Sequence, residues 1–399
     1  MENEAPEARA TRPVLEELPP KGGHVKNGRP PLRIFRLLIV NLAVLVLLVG
    51  LLEGFSSLGL FAYSFLSDPL PLARAHTRYD PELGWVSRPD QDIPDMYGSG
   101  IGLRTNSQGF RNDRDFDPSV PPGRLRLVCS GDSVTLGHGV ANEDSWCAQL
   151  ARIDPRFETV NMGQGGYGID QAYLWYRRDS ARMDVDVHLL AFITDDYRRM
   201  QYDGYAGFGR PVMDLERGQL VVRNVPVPRS SYYMPWLATL RSRLSELRFV
   251  EAAGRLRSQP ADAPDSAEPG TLERHTQQVA AALFRELQRF NQEKRRHTVL
   301  AYLPGLQDLD PNEDASASWM AFTEEQSSRL GVPLINLLDD FRGLSLAESQ
   351  DYFLDDFHLS EAGNAFVAER IRARLLRDPA VRNRLDGRGR MDHEGSEPG

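Results

Sequence analysis

From Arg124 onward, short apolar runs alternate with longer amphipathic stretches, and this alternation restricts the fold more than any other feature of the chain. The apolar runs predict five strands, at residues 125–129, 159–162, 185–193, 298–303 and 333–337. The stretches between them predict helices, near residues 145–152, 169–182, 271–294 and 316–330. Short buried strands separated by helices are typical of a parallel sheet covered on both faces. We therefore predict an α/β fold, a three-layer α/β/α sandwich around a mostly parallel five-stranded sheet.

The rest of the 399-residue chain is predicted to form appendages to this domain. Composition and patterning predict a disordered cytoplasmic tail at residues 1–36 and a transmembrane signal-anchor helix at 37–63. A juxtamembrane lead-in of small strands or ordered loops follows at 67–122. The α/β domain spans 123–380, and a disordered tail is predicted at 381–399. An insertion in the domain, residues 197–270, is predicted to contain short β-like runs, a helix at 235–250 and a flexible linker at 257–270. It is interpreted either as a lid over a site or as a tolerated surface insertion.

The apolar run from Leu37 to about Tyr63 is long enough to cross a membrane as a helix. Its one charged residue, Glu53, is placed towards the far interface, where a charge is tolerated. The residues just before the run include five basic side chains and no acidic one between them, namely Lys21, Lys26, Arg29, Arg33 and Arg36. The positive-inside rule then predicts a cytoplasmic N-terminus and an exported domain, periplasmic or extracellular, on a single-pass inner-membrane protein. A cleaved signal peptide is the alternative interpretation.

Charge and residue spacing restrict the kinds of ligand and partner that the chain is expected to bind. The formal net charge is −9 and the folded part has no long basic stripe, so nucleic acid is not predicted as a partner. No cluster of His, Cys and Asp has metal-ligand spacing and no phosphate-binding glycine loop occurs, so neither a metal nor another cofactor is predicted. The two cysteines, Cys129 and Cys147, are interpreted as buried thiols of adjacent core elements, although an exported domain permits a disulfide.

Two short motifs carry the residue types of a nucleophilic site. Ser133 follows the first predicted strand in the sequence GDSVTLG, and Asp355 lies three residues before His358. A serine hydroxyl becomes a nucleophile only beside a base that a third group orients. Reactive groups collect at the carboxyl ends of the strands in parallel sheets. We therefore predict Ser133 as the nucleophile, His358 as the base and Asp355 as the orienting group, with Asp356 as the rival for the last role.

These motifs resemble the conserved blocks of the SGNH (GDSL-type) hydrolases, whose first block is a GDS turn after the first strand and whose last is D-x-x-H. The resemblance covers roughly residues 124–376. It implies the α/β/α fold and hydrolysis of esters through an acyl-serine. The lead-in is similar to that of membrane-anchored SGNH proteins, which implies that it lies against the catalytic domain.

The resemblance also implies an oxyanion hole, with backbone N–H donors from Ser133 and Gly166, although a plain glycine-rich turn is the alternative interpretation at Gly166. The third family block, G-x-N-D, aligns with residues 193–196, and Asp195 replaces the asparagine that would donate. An ionised carboxylate only accepts hydrogen bonds, and losing one donor costs on the order of 3 kcal/mol. Three explanations stay open: a protonated Asp195, a substitute donor such as Gln164, or loss of hydrolysis.

We therefore expect a membrane-anchored serine esterase or O-acyltransferase. Its substrate is expected to be an acyl ester, and location and resemblance suggest acetyl groups on an envelope polysaccharide. The alternative is a catalytically silent protein of the same fold that binds a glycan or an assembly partner in the cell envelope. Asp195 is the main support for that alternative.

Overall fold

The computed structural model describes residues 32–67, 76–205, 208–227, 269–309, 314–355 and 357–394. Several sequence predictions fall outside these residues: most of the cytoplasmic tail, the helix at 235–250, nearly all of the linker at 257–270, the rival carboxylate Asp356 and the last five residues of the C-terminal tail.

The first described element is a long apolar helix, α1 (Leu32–Ser67). Its stretch Phe35–Ser56 has a mean hydropathy of 2.7, and none of it is buried against the rest of the chain. The stretch is long and apolar enough to cross a membrane, a criterion that a signal sequence near an N-terminus also meets. The predicted membrane segment at 37–63 is thus helical.

The lead-in contains two small antiparallel hairpins, in line with the short strands predicted there. The first pairs β1 (Thr77–Asp80) with β2 (Gly84–Ser87), and the second pairs β3 (Asp92–Ile93) with β4 (Leu103–Arg104).

The α/β domain follows. In chain order its elements are β5 (Leu125–Gly131), α2 (Ser133–Leu136), α3 (Trp146–Ile153), β6 (Phe157–Gly163), α4 (Ile169–Asp179), β7 (Val187–Phe192), α5 (Thr194–Arg199), β8 (Gly204–Tyr205), β9 (Phe208–Gly209), β10 (Val212–Glu216), β11 (Gln219–Arg223), α6 (Pro269–Glu293), β12 (His297–Tyr302), α7 (Asp314–Leu330), β13 (Leu334–Asn336), α8 (Leu338–Arg342), α9 (Leu346–Asp351), α10 (Glu361–Leu375) and α11 (Pro379–Glu394). The strands β8 to β11 form two hairpins, which are the short β-like runs predicted in the insertion.

Five strands form one parallel sheet in the order β13-β12-β7-β5-β6. These are the five strands predicted from the sequence, and the fold-class prediction is confirmed. The chain runs from β5 outward to β6 and then returns to β7 on the other side of β5. In sheets of this kind, ligands bind outside the carboxyl ends of the strands at the point where the strand order reverses. That point lies between β5 and β7.

Helices cover both faces of the sheet, so that alternate residues of one strand enter different cores. Val128 of β5 packs with α4 and α6, whereas Leu127 and Cys129 pack with α3 and α10. Both layers are hydrophobic, as the three-layer sandwich requires. Cys129 and Cys147 are buried in the same layer as free thiols, as predicted.

The prediction of a disordered tail from residue 381 is wrong as far as residue 394, because α11 spans Pro379–Glu394. Val381 and Leu385 of this helix are buried in the core layer that contains α3 and α10. Arg388 also forms an ion pair with Asp186, with Nη2 and Oδ1 2.8 Å apart. These tertiary contacts offset the low helix propensity of the two glycines in the segment.

Candidate active site

Ser133 is the first residue of α2, at the carboxyl end of β5. Asp132 caps the helix, because its Oδ1 accepts the N–H of Val134 at 2.9 Å. The helix ends after one turn at Gly137, whose φ of +85° lies in the left-handed region that glycine adopts readily. This short turn leaves Ser133 half-buried at the edge of the sheet.

The loop before α10 brings a histidine and a carboxylate to this serine. His358 Nε2 lies 2.9 Å from Ser133 Oγ, and His358 Nδ1 lies 2.8 Å from Asp355 Oδ2. The other carboxylate oxygen, Oδ1, accepts the backbone N–H groups of Phe357 at 2.9 Å and His358 at 2.8 Å. The structure therefore brings together the three residues that the two motifs predict.

The hydrogen bonds around Asp355 determine where the protons lie. Partial burial raises the pKa of Asp355, but the hydrogen bonds from the side chain and backbone of His358 outweigh this effect and hold the pKa below its ordinary value. An ionised carboxylate only accepts, so His358 Nδ1 carries the ring proton and Nε2 presents its lone pair. The Ser133 hydroxyl then donates to Nε2, which is the arrangement that a general base requires.

A second imidazole packs against His358. The ring centroids of His138 and His358 are 4.3 Å apart, and Tyr97 contacts His138 in an edge arrangement at 4.7 Å. Although His138 is exposed on its outer side, burial of its ring, followed by the charge of His358, lowers its pKa to about 4. His138 is therefore neutral at neutral pH and packs against the catalytic-site ring without adding a charge.

The predicted second block forms a tight turn beside the nucleophile helix. Tyr167 N donates to Gln164 O at 3.2 Å, and Gly166 has a φ of +78°, as in a type II turn. Gly163 lies so close to α2 that an added Cβ would be 2.1 Å from Leu136 N. A glycine at this position thus allows the second block to pack directly against the nucleophile turn.

Two backbone N–H groups in these blocks have no acceptor within the described ranges. Neither Ser133 N–H nor Gly166 N–H donates a hydrogen bond to any group in the described part of the chain. Gly166 is buried, and buried N–H groups without acceptors are rare in folded proteins. They are the two backbone donors that the family resemblance implies for an oxyanion.

Asp195 does not occupy a donor's role. Its Oδ2 lies 3.1 Å from Arg199 Nε, and its Oδ1 lies 3.9 Å from Arg198 Nη1. Because a guanidinium only donates, the Asp195 carboxyl group can act only as an acceptor in these two contacts. Gln164, the suggested substitute, accepts a hydrogen bond from Ser87 Oγ through its Oε1 at 2.7 Å.

Arg199 is a residue of the site that sequence reasoning missed. It is only 8% exposed, and its Nη1 lies 3.2 Å from Asp132 Oδ2, 2.7 Å from Asp196 Oδ1 and 3.0 Å from the carbonyl oxygen of Tyr167. It thereby joins all three blocks beneath the serine. The spacing of Asp195 and Asp196 from Arg199 on one helix is a signal for ion pairs. The contact with Asp132 has no such signal, because it joins distant parts of the chain.

A second serine–histidine pair, unexpected from the sequence, lies inside the core. Ser130 Oγ is 2.7 Å from His188 Nε2, and both residues are 0% exposed. A chain of donors leads to this histidine: Arg296 Nη1 donates to Tyr176 Oη at 3.0 Å, Tyr176 Oη donates to Asn291 Oδ1 at 2.6 Å, and Asn291 Nδ2 donates to His188 Nδ1 at 3.2 Å. Because Nδ1 accepts, the neutral ring carries its proton on Nε2 and donates to Ser130.

No protein-family model and no curated protein matches the chain. Solved structures do. An acetyl xylan esterase is 15% identical over 62% of this chain and 98% of its own, with a TM-score of 0.36. A lipase/acylhydrolase from Enterococcus faecalis is 12% identical over 63% of this chain and 95% of its own, with a TM-score of 0.36.

A third solved structure is a member of the lipolytic G-D-S-L family from Veillonella parvula, 12% identical over 62% of this chain and 95% of its own, with a TM-score of 0.33. Among the solved structures to which this chain is similar are thus an acetyl xylan esterase, a lipase/acylhydrolase and a lipolytic protein of the G-D-S-L family.

Proposed function

We propose that this chain is an SGNH-type serine ester hydrolase that works through an acyl-serine intermediate. One observation carries the proposal: Ser133, His358 and Asp355 are linked by contacts of 2.9 and 2.8 Å, with the histidine lone pair directed at the hydroxyl. The N–H groups of Ser133 and Gly166, which donate to no group among the residues that the structure describes, support it, because an ester carbonyl needs such donors as it becomes an oxyanion.

The acylation step follows from this arrangement. Ser133 Oγ attacks the ester carbonyl carbon while its proton moves to His358 Nε2, and Asp355 stabilises the imidazolium that forms. The carbonyl oxygen becomes negatively charged and is bound by the N–H groups of Ser133 and Gly166. When the tetrahedral intermediate collapses, the ester C–O bond breaks and the alcohol leaves with the proton from His358.

The acceptor in the deacylation step determines whether the reaction is ester hydrolysis or acyl transfer. Water attacks the acyl-serine carbonyl while one of its protons moves to His358 Nε2. When this tetrahedral intermediate collapses, the bond to Ser133 Oγ breaks, His358 donates the proton to Oγ, and a carboxylic acid is released. If a sugar hydroxyl takes the place of water, the same residues perform acyl transfer. The geometry of the triad suits both reactions, because either acceptor needs only a base at Nε2.

The location and the substrate are part of the same proposal. The helix α1, with a mean hydropathy of 2.7 over Phe35–Ser56, supports a single membrane anchor, and the preceding basic residues support export of the domain. An exported domain tethered to the inner membrane meets envelope glycans, so acetyl esters of an envelope polysaccharide are the proposed substrates.

A catalytically silent glycan-binding or assembly protein is the second candidate. Asp195 favours it, because the carboxylate pairs with Arg199 and offers no donor to an oxyanion. The triad contacts favour hydrolysis instead, since Asp355 holds His358 with its lone pair facing the hydroxyl of the half-buried Ser133.

Labelling by a fluorophosphonate probe separates the two candidates. The probe reacts only with an activated serine, so we expect the full-length wild-type chain in detergent to be labelled and Ser133→Ala to remain unlabelled. An unlabelled wild-type chain that is folded and binds a glycan would support the silent protein.

Reporter fusions test the proposed orientation. An alkaline phosphatase joined after Arg124 is active only if this part of the chain is exported, and we expect activity. An inactive fusion at this position, together with a working cytoplasmic reporter, would contradict both the orientation and the envelope substrate.

A further inference from the structure

The peptide between Gly165 and Gly166 lies at the centre of the second-block turn. A trans peptide directs its C=O and its N–H to opposite sides, so the direction of the Gly166 N–H depends on where the Gly165 carbonyl points. Turns of type I and type II differ by a rotation of this central peptide. Because Gly165 and Gly166 have no side chains, neither residue hinders that rotation. Another group must therefore hold the peptide in one orientation.

Trp85 of the lead-in strand β2 holds this carbonyl. Its Nε1 donates to Gly165 O at 3.0 Å, and the residue is only 3% exposed. The indole is fixed in turn by aromatic contacts, with ring centroids 5.4 Å from Tyr167 and 5.3 Å from Phe208. A hydrogen bond from a donor that is buried and held in place by its neighbours favours one orientation of the peptide.

The same strand holds the residues on either side of the two glycines. Ser87 Oγ donates to Gln164 Oε1 at 2.7 Å, and Tyr167 Oη donates to the carbonyl oxygen of Trp85. Strand β2 thus contacts the first, second and fourth residues of the turn. The third residue is Gly166, whose N–H donates to no group within the described ranges.

We propose that Trp85 is a positioning residue of the oxyanion hole and that the lead-in strand β2 is therefore part of the active site. Its indole N–H holds the Gly165–Gly166 peptide so that the Gly166 N–H faces the developing oxyanion. Without this hydrogen bond the peptide also adopts the flipped orientation, in which a carbonyl oxygen replaces the N–H and repels the negative charge. The inference rests on the proposed ester hydrolysis.

The variant Trp85→Phe removes the indole N–H and keeps an aromatic ring. In the full-length chain we expect kcat for a small acetyl ester to fall about tenfold, less than for deletion of an oxyanion donor, because the N–H is misdirected for only part of the time. KM should change little, since the contact with the oxyanion exists only in the transition state. Trp175→Phe is the control for loss of an indole N–H: its Nε1 donates to Asp179 Oδ2 at 2.7 Å within α4 and not to the turn. Its ring lies 6.0 Å from that of Tyr167, a packing contact that the phenylalanine ring keeps in part, so kcat should stay unchanged.

Ser133→Ala, measured in parallel, distinguishes failure of the Trp85 role from failure of the proposed ester hydrolysis. If Ser133→Ala is inactive and a folded Trp85→Phe keeps wild-type kcat, the role of Trp85 is refuted while the hydrolase stands. If Ser133→Ala keeps wild-type turnover, the proposed function itself fails. A Trp85→Phe variant with lower thermal stability, higher KM and unchanged kcat would show a merely structural role and would also refute the inference.

A second variant keeps the test decisive if Trp85→Phe does not fold. Ser87→Ala removes the hydrogen bond to Gln164 at the start of the same turn. A lower kcat with the same KM would support control of the turn by β2. An unchanged kcat would overturn it.

Discussion

Two serine–histidine pairs lie close together in this chain, and only one of them has the features of an active site. Ser130 and Ser133 are both at the end of β5, and their hydroxyl oxygens are 2.7 and 2.9 Å from the imidazoles of His188 and His358. The first pair is completely buried, whereas Ser133 and His358 are both half-buried at the sheet edge. Hydrogen-bond distance between a serine and a histidine is therefore not enough to define a catalytic pair.

The group behind each histidine explains the chemical difference. Asp355 accepts from His358 Nδ1, which leaves Nε2 free to take a proton from the serine. Asn291 donates to His188 Nδ1, so Nε2 already carries the proton and donates to its serine. The third residue thus determines whether the serine or the histidine is the donor in the hydrogen bond between them.

The largest effects should come from the exposed pair. We expect Ser133→Ala and His358→Ala each to lower kcat for a small acetyl ester by on the order of 10⁶-fold, and the double variant to lose little more, because the residues act as a unit. Steady-state kinetics on the three variants measure this.

Ser130→Ala is the matched control for that comparison. It should keep wild-type kcat but lower the free energy of unfolding by about 1–3 kcal/mol, because the buried N–H of His188 loses its acceptor. If Ser130→Ala were folded and inactive, or if Ser133→Ala turned over like the wild type, the distinction between the two pairs would be wrong.

A smaller effect is expected when Asp355, which orients His358, is replaced by an amide like that of Asn291 beside His188. Asp355→Asn replaces the carboxylate by an amide that can donate to Nδ1 and so favours the wrong tautomer of His358. We expect kcat to fall on the order of 10⁴-fold, less than for Ser133→Ala, because the base and the nucleophile remain. Asp351→Asn, an exposed carboxylate on α9, is the control and should have no effect. Full activity in Asp355→Asn would remove the third group from the explanation.

The buried pair should be visible in the pH dependence of stability. Burial, followed by the charge of Arg296, lowers the pKa of His188 well below its ordinary value of 6.5. At a pH between the pKa of His188 in the folded chain and its pKa in the unfolded chain, only the unfolded chain binds the proton. The free energy of unfolding therefore falls as the pH drops below about 6.5, by up to about 1.4 kcal/mol per pH unit. Chemical denaturation between about pH 5 and 7.5 measures this slope.

His188→Gln removes the titrating ring. It should be less stable than the wild type at pH 7.5 but should lose less stability on acidification, whereas Ser130→Ala keeps the ring and should keep the wild-type slope. Equal slopes in the wild type and His188→Gln would show that this histidine is not held neutral by the fold.

The smallest change is expected at Asp195. Asp195→Asn should preserve or raise activity near neutral pH by up to a few-fold, because the amide supplies a donor and Arg199 keeps its contacts with Asp132 and Asp196. Asp195→Ala removes the same ion pair without adding a donor, so comparing kcat of the two variants isolates the effect of the amide.

Two outcomes would contradict this account of Asp195. Loss of activity in Asp195→Asn across the whole pH range would show that the carboxylate itself is required, through its ion pair with Arg199. Wild-type activity that falls with rising pH, together with a flat profile in Asp195→Asn, would indicate a protonated carboxyl and not an ion pair.

The sheet and the triad could be predicted because their signals are local. Each strand is a short apolar run between helices, and Ser133, Asp355 and His358 belong to motifs of a few residues. The topology of a parallel sheet then brings these motifs to one edge, although they are far apart in the chain. Even the small strands of the lead-in follow from local turn residues.

The remaining features depend on contacts between distant residues. The hydrogen bond from Trp85 to Gly165 joins positions 80 residues apart, and the pairing of Ser130 with His188 depends on the register of β5 beside β7. The helix α11 was missed for the same reason, because its glycine-containing sequence is held by packing and not by propensity. Local patterns contain no record of these interactions.

The position of the acyl group in the reaction intermediate tests the central claim most directly. A reaction with p-nitrophenyl acetate, quenched in acid during the first turnover, can be digested with trypsin, which should release residues 127–152 as one peptide that contains both Ser130 and Ser133. Fragmentation by mass spectrometry should place a single acetyl group on Ser133, still present in Ser130→Ala and absent in Ser133→Ala. An acetyl group on Ser130 or on any other residue, or turnover without an acetylated serine, would contradict the account.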